Sequence, residues 1–202
     1  IPARRDQPGR LQVWNFQNNI VVRCHGHSDV TDVTFSGDGQ VLASTGRWDD
    51  GRDAGSGVIL WQPESGDLIH RFRQAATERS VGVRFLPDEQ RFISVALRED
   101  DQTAPAGTVV RLTDVLAGKV TWEQTIPATG SLVAGFADDN AFGLQGTDWT
   151  FHLLNSATGR ETLAFRAPSA PARPLPLESN GIIVPGRNWL ALAPPCQDAE
   201  EG

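Results

Sequence analysis

The segment RCHGHSD holds four side chains that can bind zinc within six residues: Cys24, His25, His27 and Asp29. Thiolate and imidazole are good zinc ligands, so the composition fits a metal site. In an extended strand, however, neighbouring side chains point to opposite faces, and Cys24 and His25 are expected to diverge while the remaining residues run into a loop. We therefore predict that this segment holds no metal.

Two acidic segments form a second group of candidates, WDDGRDAGSG at 48–57 and REDDQTAPAG at 98–107. The first lacks the closing Glu and the ligand alternation of a calcium-binding loop. Both are predicted as long loops on one rim of the fold, where with an exposed Trp48 they offer an acidic, partly aromatic patch to a basic segment. The alternative is a pair of solvated insertions. The candidate partner-binding residues are Trp48, Asp49, Asp50, Asp53, Glu99, Asp100 and Asp101.

Sequence patterns of catalytic sites are missing. There is no Gly-x-Ser-x-Gly elbow, and none of the four His residues stands in a triad context. The Gly-rich segment GRDAGSG lacks the Lys-Ser/Thr ending of a phosphate-binding loop. We predict a protein that is not an enzyme and that binds no cofactor.

Composition limits the partners and the location of the chain. The net charge of −7, with 18 scattered Lys and Arg residues, argues against nucleic-acid binding. No apolar run approaches the roughly 20 residues that span a bilayer, and no signal peptide heads the chain. A soluble, cytoplasmic domain that does not bind membranes is expected. The start at Ile1 and the absence of Met indicate a processed product or an excerpt.

Two landmarks recur along the chain. In the first, Phe35, Phe85 and Phe136 each stand three residues before an Asp, at intervals of 50 and 51 residues, and Leu177 before Asn180 is a weaker fourth match. These aromatic residues are predicted to lie in the core. In the second landmark a strand residue precedes a turn residue by five: Trp14 and Asn19, Trp61 and Gly66, Thr113 and Gly118, Leu154 and Gly159. Asn at the first turn fits a left-handed conformation, which Asn tolerates best after Gly.

The repeat predicts units of four short strands, a to d. No stretch carries an apolar helical period, so the fold is expected to be all-β. The predicted strands of the first full unit are 30–35, 41–45, 58–62 and 68–73; those of the second are 81–85, 91–96, 108–113 and 119–124; those of the third are 131–136, 141–145, 149–154 and 161–165. Strands c and d of an earlier unit precede them (11–14 and 20–24), and strands a, b and c of a later unit follow (173–177, 181–184 and 188–193). Four-stranded units at about this period are typical of β-propeller blades.

The first full copy, GHSDVTDVTFSGDGQVLASTG followed by GVILWQPESGDLIHRF, resembles WD-repeat β-propellers. It carries the family's Gly-His pair, a tight-turn Asp and a Trp on strand c. The resemblance implies a buried hydrogen-bonded set that staples the blade, matched here by His27, Ser44 and Trp61, with Thr45 as the alternative hydroxyl. The Asp of that set is not identifiable after Gly46. The later copies lack the Gly-His pair and keep no Trp on strand c.

A second family is similar over two half-blades only. LTDVLAGKVTWEQTIP and LLNSATGRETLAFRAP resemble repeats of pyrroloquinoline-quinone enzymes, which would imply a periplasmic dehydrogenase that binds a quinone and Ca²⁺. Neither a quinone pocket nor a calcium site can be assembled from the sequence. A change in thermal stability on adding quinone and Ca²⁺, or dye-linked oxidation, would distinguish this alternative.

We predict an all-β fold of propeller blades, three complete and two partial, as an open segment of a larger propeller; a closed four-bladed ring is the alternative. The expected boundaries are a tail at 1–8, a partial blade at 9–25, blades at 26–75, 76–127 and 128–168, a partial blade at 173–193 and an acidic tail at 194–202. The expected function is a non-catalytic protein–protein interaction scaffold. Its partner would be another protein, for example through a basic segment, or other domains of a longer parent chain. A purely architectural role is a further alternative.

Overall fold

The structure is a computed structural model that describes residues 11–49, 53–88, 90–99, 106–126, 130–138, 141–146, 150–166, 181–184 and 189–192. These residues form sixteen β-strands, which confirms the all-β prediction. Nowhere in these ranges is there a helix with the length and apolar character needed to cross a membrane. Both predicted tails, 1–8 and 194–202, lie outside the described residues.

The chain begins with an antiparallel hairpin of β1 (Leu11–Asn15) and β2 (Ile20–Cys24). Its turn has Asn19 at φ 57°, a left-handed conformation. The corresponding turn residues of the three later units are also left-handed, with φ between 63° and 77°: Gly66, Gly118 and Gly159. The second landmark of the repeat therefore marks the same turn four times, and Asn replaces Gly as predicted.

Two four-stranded antiparallel sheets follow. Sheet 1 consists of β3 (Asp29–Phe35), β4 (Leu42–Asp49), β5 (Ala54–Trp61) and β6 (Leu68–Arg73). Sheet 2 consists of β7 (Glu78–Phe85), β8 (Arg91–Arg98), β9 (Gly107–Asp114) and β10 (Lys119–Ile126). In each sheet the strands pair in chain order, as expected for strands a to d of one unit.

Strands b and c of the first unit are longer than predicted. The ladder of β4 and β5 continues to the pairs Trp48–Gly55 and Asp49–Ala54, so the connection shrinks to residues 50–53. The glycines of this segment suggested a loop, but Gly57 lies within the strand, where a Cβ would stand 2.0 Å from the carbonyl oxygen of Phe72. Glycine here permits the close approach of β6 rather than ending the strand.

Sheet 3 contains β11 (Gly130–Asp138), β12 (Ala141–Gly146), β13 (Thr150–Asn155) and β14 (Glu161–Arg166). It is extended by the hairpin of β15 (Gly181–Val184) and β16 (Trp189–Leu192), in which β15 lies parallel to β11. We expected these two strands to be b and c of a separate partial blade. They join sheet 3 instead, because β11 is an edge strand of that unit and its outer backbone groups can accept another strand.

The core lies between neighbouring sheets. In β5, Val58 and Leu60 pack towards sheet 2, while Ile59 and Trp61 pack towards the N-terminal hairpin. Sheets 2 and 3 share a further cluster: Leu86, Ile93, Val95, Val110, Leu112, Ile126, Phe142, Leu144 and Leu154. The apolar run VILW is explained by this burial on both faces, since successive residues of a strand alternate between faces.

Phe35 corrects one expectation about the core. Its counterpart Phe85 is 7% exposed and packs against sheet 1, whereas Phe35 is 49% exposed. Phe35 pairs with Leu42 and shares the face that looks towards the N-terminal hairpin. Among the described residues, the hairpin of β1 and β2 alone stands against this face, and Phe35 stays exposed.

Candidate functional site

Three buried polar side chains meet in the first unit. His27 lies just before β3, Ser44 is in β4 and Trp61 ends β5, and each is at most 2% exposed. Trp61 Nε1 donates to Ser44 Oγ at 2.7 Å, and Ser44 Oγ lies 2.9 Å from His27 Nε2. Of the two hydroxyls considered from the sequence, Ser44 makes these contacts, whereas Thr45 contacts Thr31.

The proton positions of this set follow from what each group can do. The Trp61 indole can only donate, so Ser44 Oγ accepts from it and directs its own hydrogen to His27 Nε2. The single ring hydrogen of the neutral imidazole is then on His27 Nδ1, which donates it to the carbonyl oxygen of Arg47 at 3.2 Å. Burial, and secondarily the charge of Arg71, lowers the pKa of His27. A neutral imidazole satisfies all three contacts.

Trp48 is not an exposed binding residue, and this expectation is wrong. Its side chain is 1% exposed, and the guanidinium carbons of Arg71 and Arg73 lie 4.9 and 5.4 Å from its ring centroid. Gly55 makes room for this packing, because a Cβ there would stand 2.9 Å from Trp48 Cζ2. Since β4 extends beyond the predicted loop boundary, Trp48 faces the sheet interior.

The described acidic candidates share one end of the fold. Asp49 and Glu99 are exposed, and the side chain of Asp53 is 43% exposed while it pairs with Arg71 and Arg73. The starts of β5 and β7 are joined because Ser56 Oγ donates to the carbonyl oxygen of Glu78 at 2.9 Å. These residues therefore lie at the same end of sheets 1 and 2. Asp50, Asp100 and Asp101 lie outside the described residues.

A charged network that the sequence reading missed crosses all four strands of sheet 2. Its members are Glu78 on β7, Arg98 on β8, Arg111 on β9 and Glu123 on β10. Arg98 Nη2 and Arg111 Nη2 each donate to Glu78 Oε1 at 2.9 Å, and Arg111 Nη1 lies 2.8 Å from Glu78 Oε2. Arg111 Nε donates to Glu123 Oε2 at 2.8 Å. One feature of the sequence could have indicated this network: Arg111 is a charged residue within an otherwise apolar strand.

The network fixes the ionisation of its central carboxylate. The side chain of Glu78 is 1% exposed, and burial alone would raise its pKa. Hydrogen bonds and charges from Arg111 and Arg98 outweigh burial, so the pKa of Glu78 lies below its usual value. Glu78 is therefore an anion held between two guanidinium groups, and its role is to join strands.

The four side chains first considered for zinc do not converge. Cys24 is buried against the core, where burial raises the pKa of its thiol, while His25 and Asp29 are exposed. His27 belongs to the Ser44 set. Across the described ranges, no three His, Cys, Asp or Glu residues are grouped so as to hold a metal ion.

No protein-family model and no curated protein matches the chain. Among solved structures, the chain is similar to the C-terminal WD40 domain of Sif2, with a TM-score of 0.62 and 15% sequence identity. The match covers 86% of this chain and 44% of that chain, so this chain spans less than half of its length. At this identity the likeness concerns the fold. The prediction of β-propeller blades is confirmed: the fold is WD40-like.

Proposed function

We propose that this chain is a non-catalytic interaction scaffold that binds a basic segment of a partner protein. The observation that carries the proposal is the exposure of Asp49 and Glu99 at the same end of neighbouring sheets. We call this end, with Asp53, the acidic rim. Asp50, Asp100 and Asp101 add charge to the same two connections in the sequence.

The polar residues of the interior support a scaffold rather than a reaction centre. His27, Ser44 and Trp61 bond to one another, and Glu78 is held by two arginines. These contacts join neighbouring strands. Asp53 of the rim pairs with Arg73, whose guanidinium carbon lies 5.4 Å from the Trp48 ring centroid. An acidic rim complements the charge of a basic peptide.

The test measures binding of a fluorescently labelled, Lys- and Arg-rich peptide to the full chain by anisotropy. We expect Asp49→Asn combined with Glu99→Gln to weaken binding about fivefold at low salt, since exposed charge pairs each contribute roughly 0.5 kcal/mol. The matched control is Glu64→Gln combined with Asp67→Asn, which removes the same charge from the β5–β6 turn at the opposite end of sheet 1. Equal weakening by both double variants would refute the rim as the binding surface.

A further inference from the structure

The turn between the last two strands of sheet 3 packs on sheet 2. A Cβ placed on Gly159, in the β13–β14 turn, would stand 2.7 Å from Trp122 Cε3 on β10. Trp122 Nε1 also donates to the carbonyl oxygen of Ser156, the first residue of this turn, at 3.1 Å. Trp122 therefore lies directly on the turn of the following unit. We call this contact the turn joint.

The two earlier turns make the same joint. A Cβ on Gly118, in the β9–β10 turn, would stand 3.6 Å from His70 Cε1 on β6. A Cβ on Gly66, in the β5–β6 turn, would stand 2.6 Å from the carbonyl oxygen of Arg23 on β2. The receiving residues each stand four positions after the turn residue of their own unit: Arg23 after Asn19, His70 after Gly66 and Trp122 after Gly118. The turn joint therefore repeats with the unit.

Sheet 3 carries the receiving position once more, and there it is open. Leu163 stands four positions after Gly159 and is 51% exposed. Phe165, two residues further on the same face of β14, is 43% exposed and stacks on Phe151 with ring centroids 5.2 Å apart. Its counterpart on β6, Phe72, packs against the core that sheets 1 and 2 share. Leu163 and Phe165 thus form an apolar surface at the place where earlier sheets receive the next unit.

The N-terminal hairpin carries the turn of a further joint, and this turn is open too. Phe16 is the first residue of the β1–β2 turn and is 81% exposed. Its counterparts in the three later turns are buried or half-buried: Pro63, Val115 and Ser156. Trp14 shows the same difference, because it is 64% exposed whereas its counterpart Trp61 is 1% exposed. The hairpin therefore presents an apolar surface of Phe16 and Trp14 beside Asn19.

The two open surfaces are complementary halves of one joint. Both are apolar, so each can remove the other from water. They also match in size. Asn19 adds a side chain where the other turns have Gly, and Leu163 is smaller than Trp122, which leaves no room for a Cβ on Gly159.

We propose that a second copy of this chain binds head-to-tail, with its β1–β2 turn packed on β14 of the first. Phe16 and Asn19 of one copy cover Leu163 and Phe165 of the other, as the β13–β14 turn covers Trp122 within one chain. Two copies that meet through both pairs of surfaces form a closed dimer with twofold symmetry. The match to the WD40 domain of Sif2 covers 44% of that chain, so two copies would span most of such a fold. This assembly goes beyond the proposed scaffold function and does not depend on the acidic rim.

The test is sedimentation-velocity ultracentrifugation of the full chain over a series of concentrations. We expect an equilibrium between monomer and dimer. Leu163→Asp and Phe16→Asp should each weaken dimerisation at least about tenfold, because a charge replaces an apolar contact. The matched control is Leu116→Asp, which makes the same change at a side chain that is 85% exposed and stands one position after the joint residue Val115. It should leave dimerisation unchanged. An unchanged circular dichroism spectrum shows that each variant is folded.

Mixing the two joint variants tests the head-to-tail arrangement. Phe16→Asp keeps the receiving surface and Leu163→Asp keeps the turn, so an equimolar mixture contains one intact joint. We expect the mixture to form more dimer than either variant alone at the same total concentration. A contact between two like surfaces predicts no such rescue.

Four outcomes would overturn the proposal. A monomer at every concentration would show that a second copy does not cover these surfaces, and species that keep growing with concentration would exclude the closed dimer. Absence of rescue on mixing would exclude the head-to-tail contact. An equal effect of Leu116→Asp and Leu163→Asp would show that the dimer does not use the turn joint.

Discussion

Replacing Ser44 by Ala removes the hydroxyl that both Trp61 and His27 contact. The change orphans two groups inside the protein, Trp61 Nε1–H and His27 Nε2, and both side chains are at most 2% exposed. A buried polar group without a partner costs about 1–3 kcal/mol. We therefore expect Ser44→Ala to lower the free energy of unfolding by about 2–5 kcal/mol.

The matched control is Ser94→Ala. Ser94 pairs with Arg111 in β9 as Ser44 pairs with Ile59 in β5, so the two serines occupy the same register position, and both are buried. The Ser94 hydroxyl makes none of the side-chain hydrogen bonds found among the described residues. Its replacement should cost less than about 1 kcal/mol.

Urea unfolding, followed by tryptophan fluorescence, compares the two variants with the parent chain. A double-mutant cycle with Trp61→Phe isolates the Trp61–Ser44 contact, and we expect a coupling energy of about 1–2 kcal/mol. If Ser44→Ala costs no more than Ser94→Ala, or if the coupling is zero, the buried hydrogen-bonded set does not stabilise the first unit and the reasoning is refuted.

The charged network gives two further predictions. Glu78→Gln should cost about 2–4 kcal/mol in urea unfolding, because it removes the buried carboxylate that Arg98 and Arg111 share and leaves them only the more exposed Glu123. Glu123→Gln, at a side chain that is 44% exposed, should cost under about 1 kcal/mol, and equal costs would contradict the role of burial. The depressed pKa values of His27 and Glu78 mean that both stabilise the fold when deprotonated. Thermal stability should therefore fall as the pH drops below 6.5, and fall again below 4.5 in the parent chain but less in Glu78→Gln. Stability that is flat between pH 7 and 5 would count against a buried neutral His27.

The repeat was readable from the sequence because its turns depend on local backbone chemistry. A left-handed turn needs Gly or Asn, so Gly66 and its counterparts, including Asn19 at φ 57°, marked the same place in each unit. The resemblance to WD repeats also predicted the buried hydrogen-bonded set of His27, Ser44 and Trp61.

The strand boundaries at the acidic rim were harder to predict, because a glycine can either end a strand or allow a neighbouring strand to pack closely. The Gly residues between Trp48 and Val58 suggested a loop, but Gly55 and Gly57 permit close packing inside a strand. Whether a glycine ends a strand or admits a neighbour depends on what lies across the sheet, which the local sequence does not contain. Trp48 is buried because the glycines after it lie inside a strand instead of forming an exposed loop.

The charged network and the C-terminal hairpin depend on contacts between distant residues. Arg98 and Arg111 meet Glu78 only once the order and register of four strands are known. Similarly, the apolar pattern of β15 indicates a strand but does not say which edge it will join.

The Ser44 set also bears on how β4 finds its alignment with β5. When a strand is apolar on one face only, its register is strongly specified, because a slip by one residue would expose that face to water. β5 is buried on both faces, so its apolar residues penalise such a slip far less. A one-residue slip would turn Ser44 away from Trp61. In one direction Ala43 would face the indole and leave its N–H without an acceptor; in the other Thr45 would replace Ser44 and lose its contact with Thr31. The polar contact therefore favours the native register of β4 and β5, which the apolar residues alone specify only weakly.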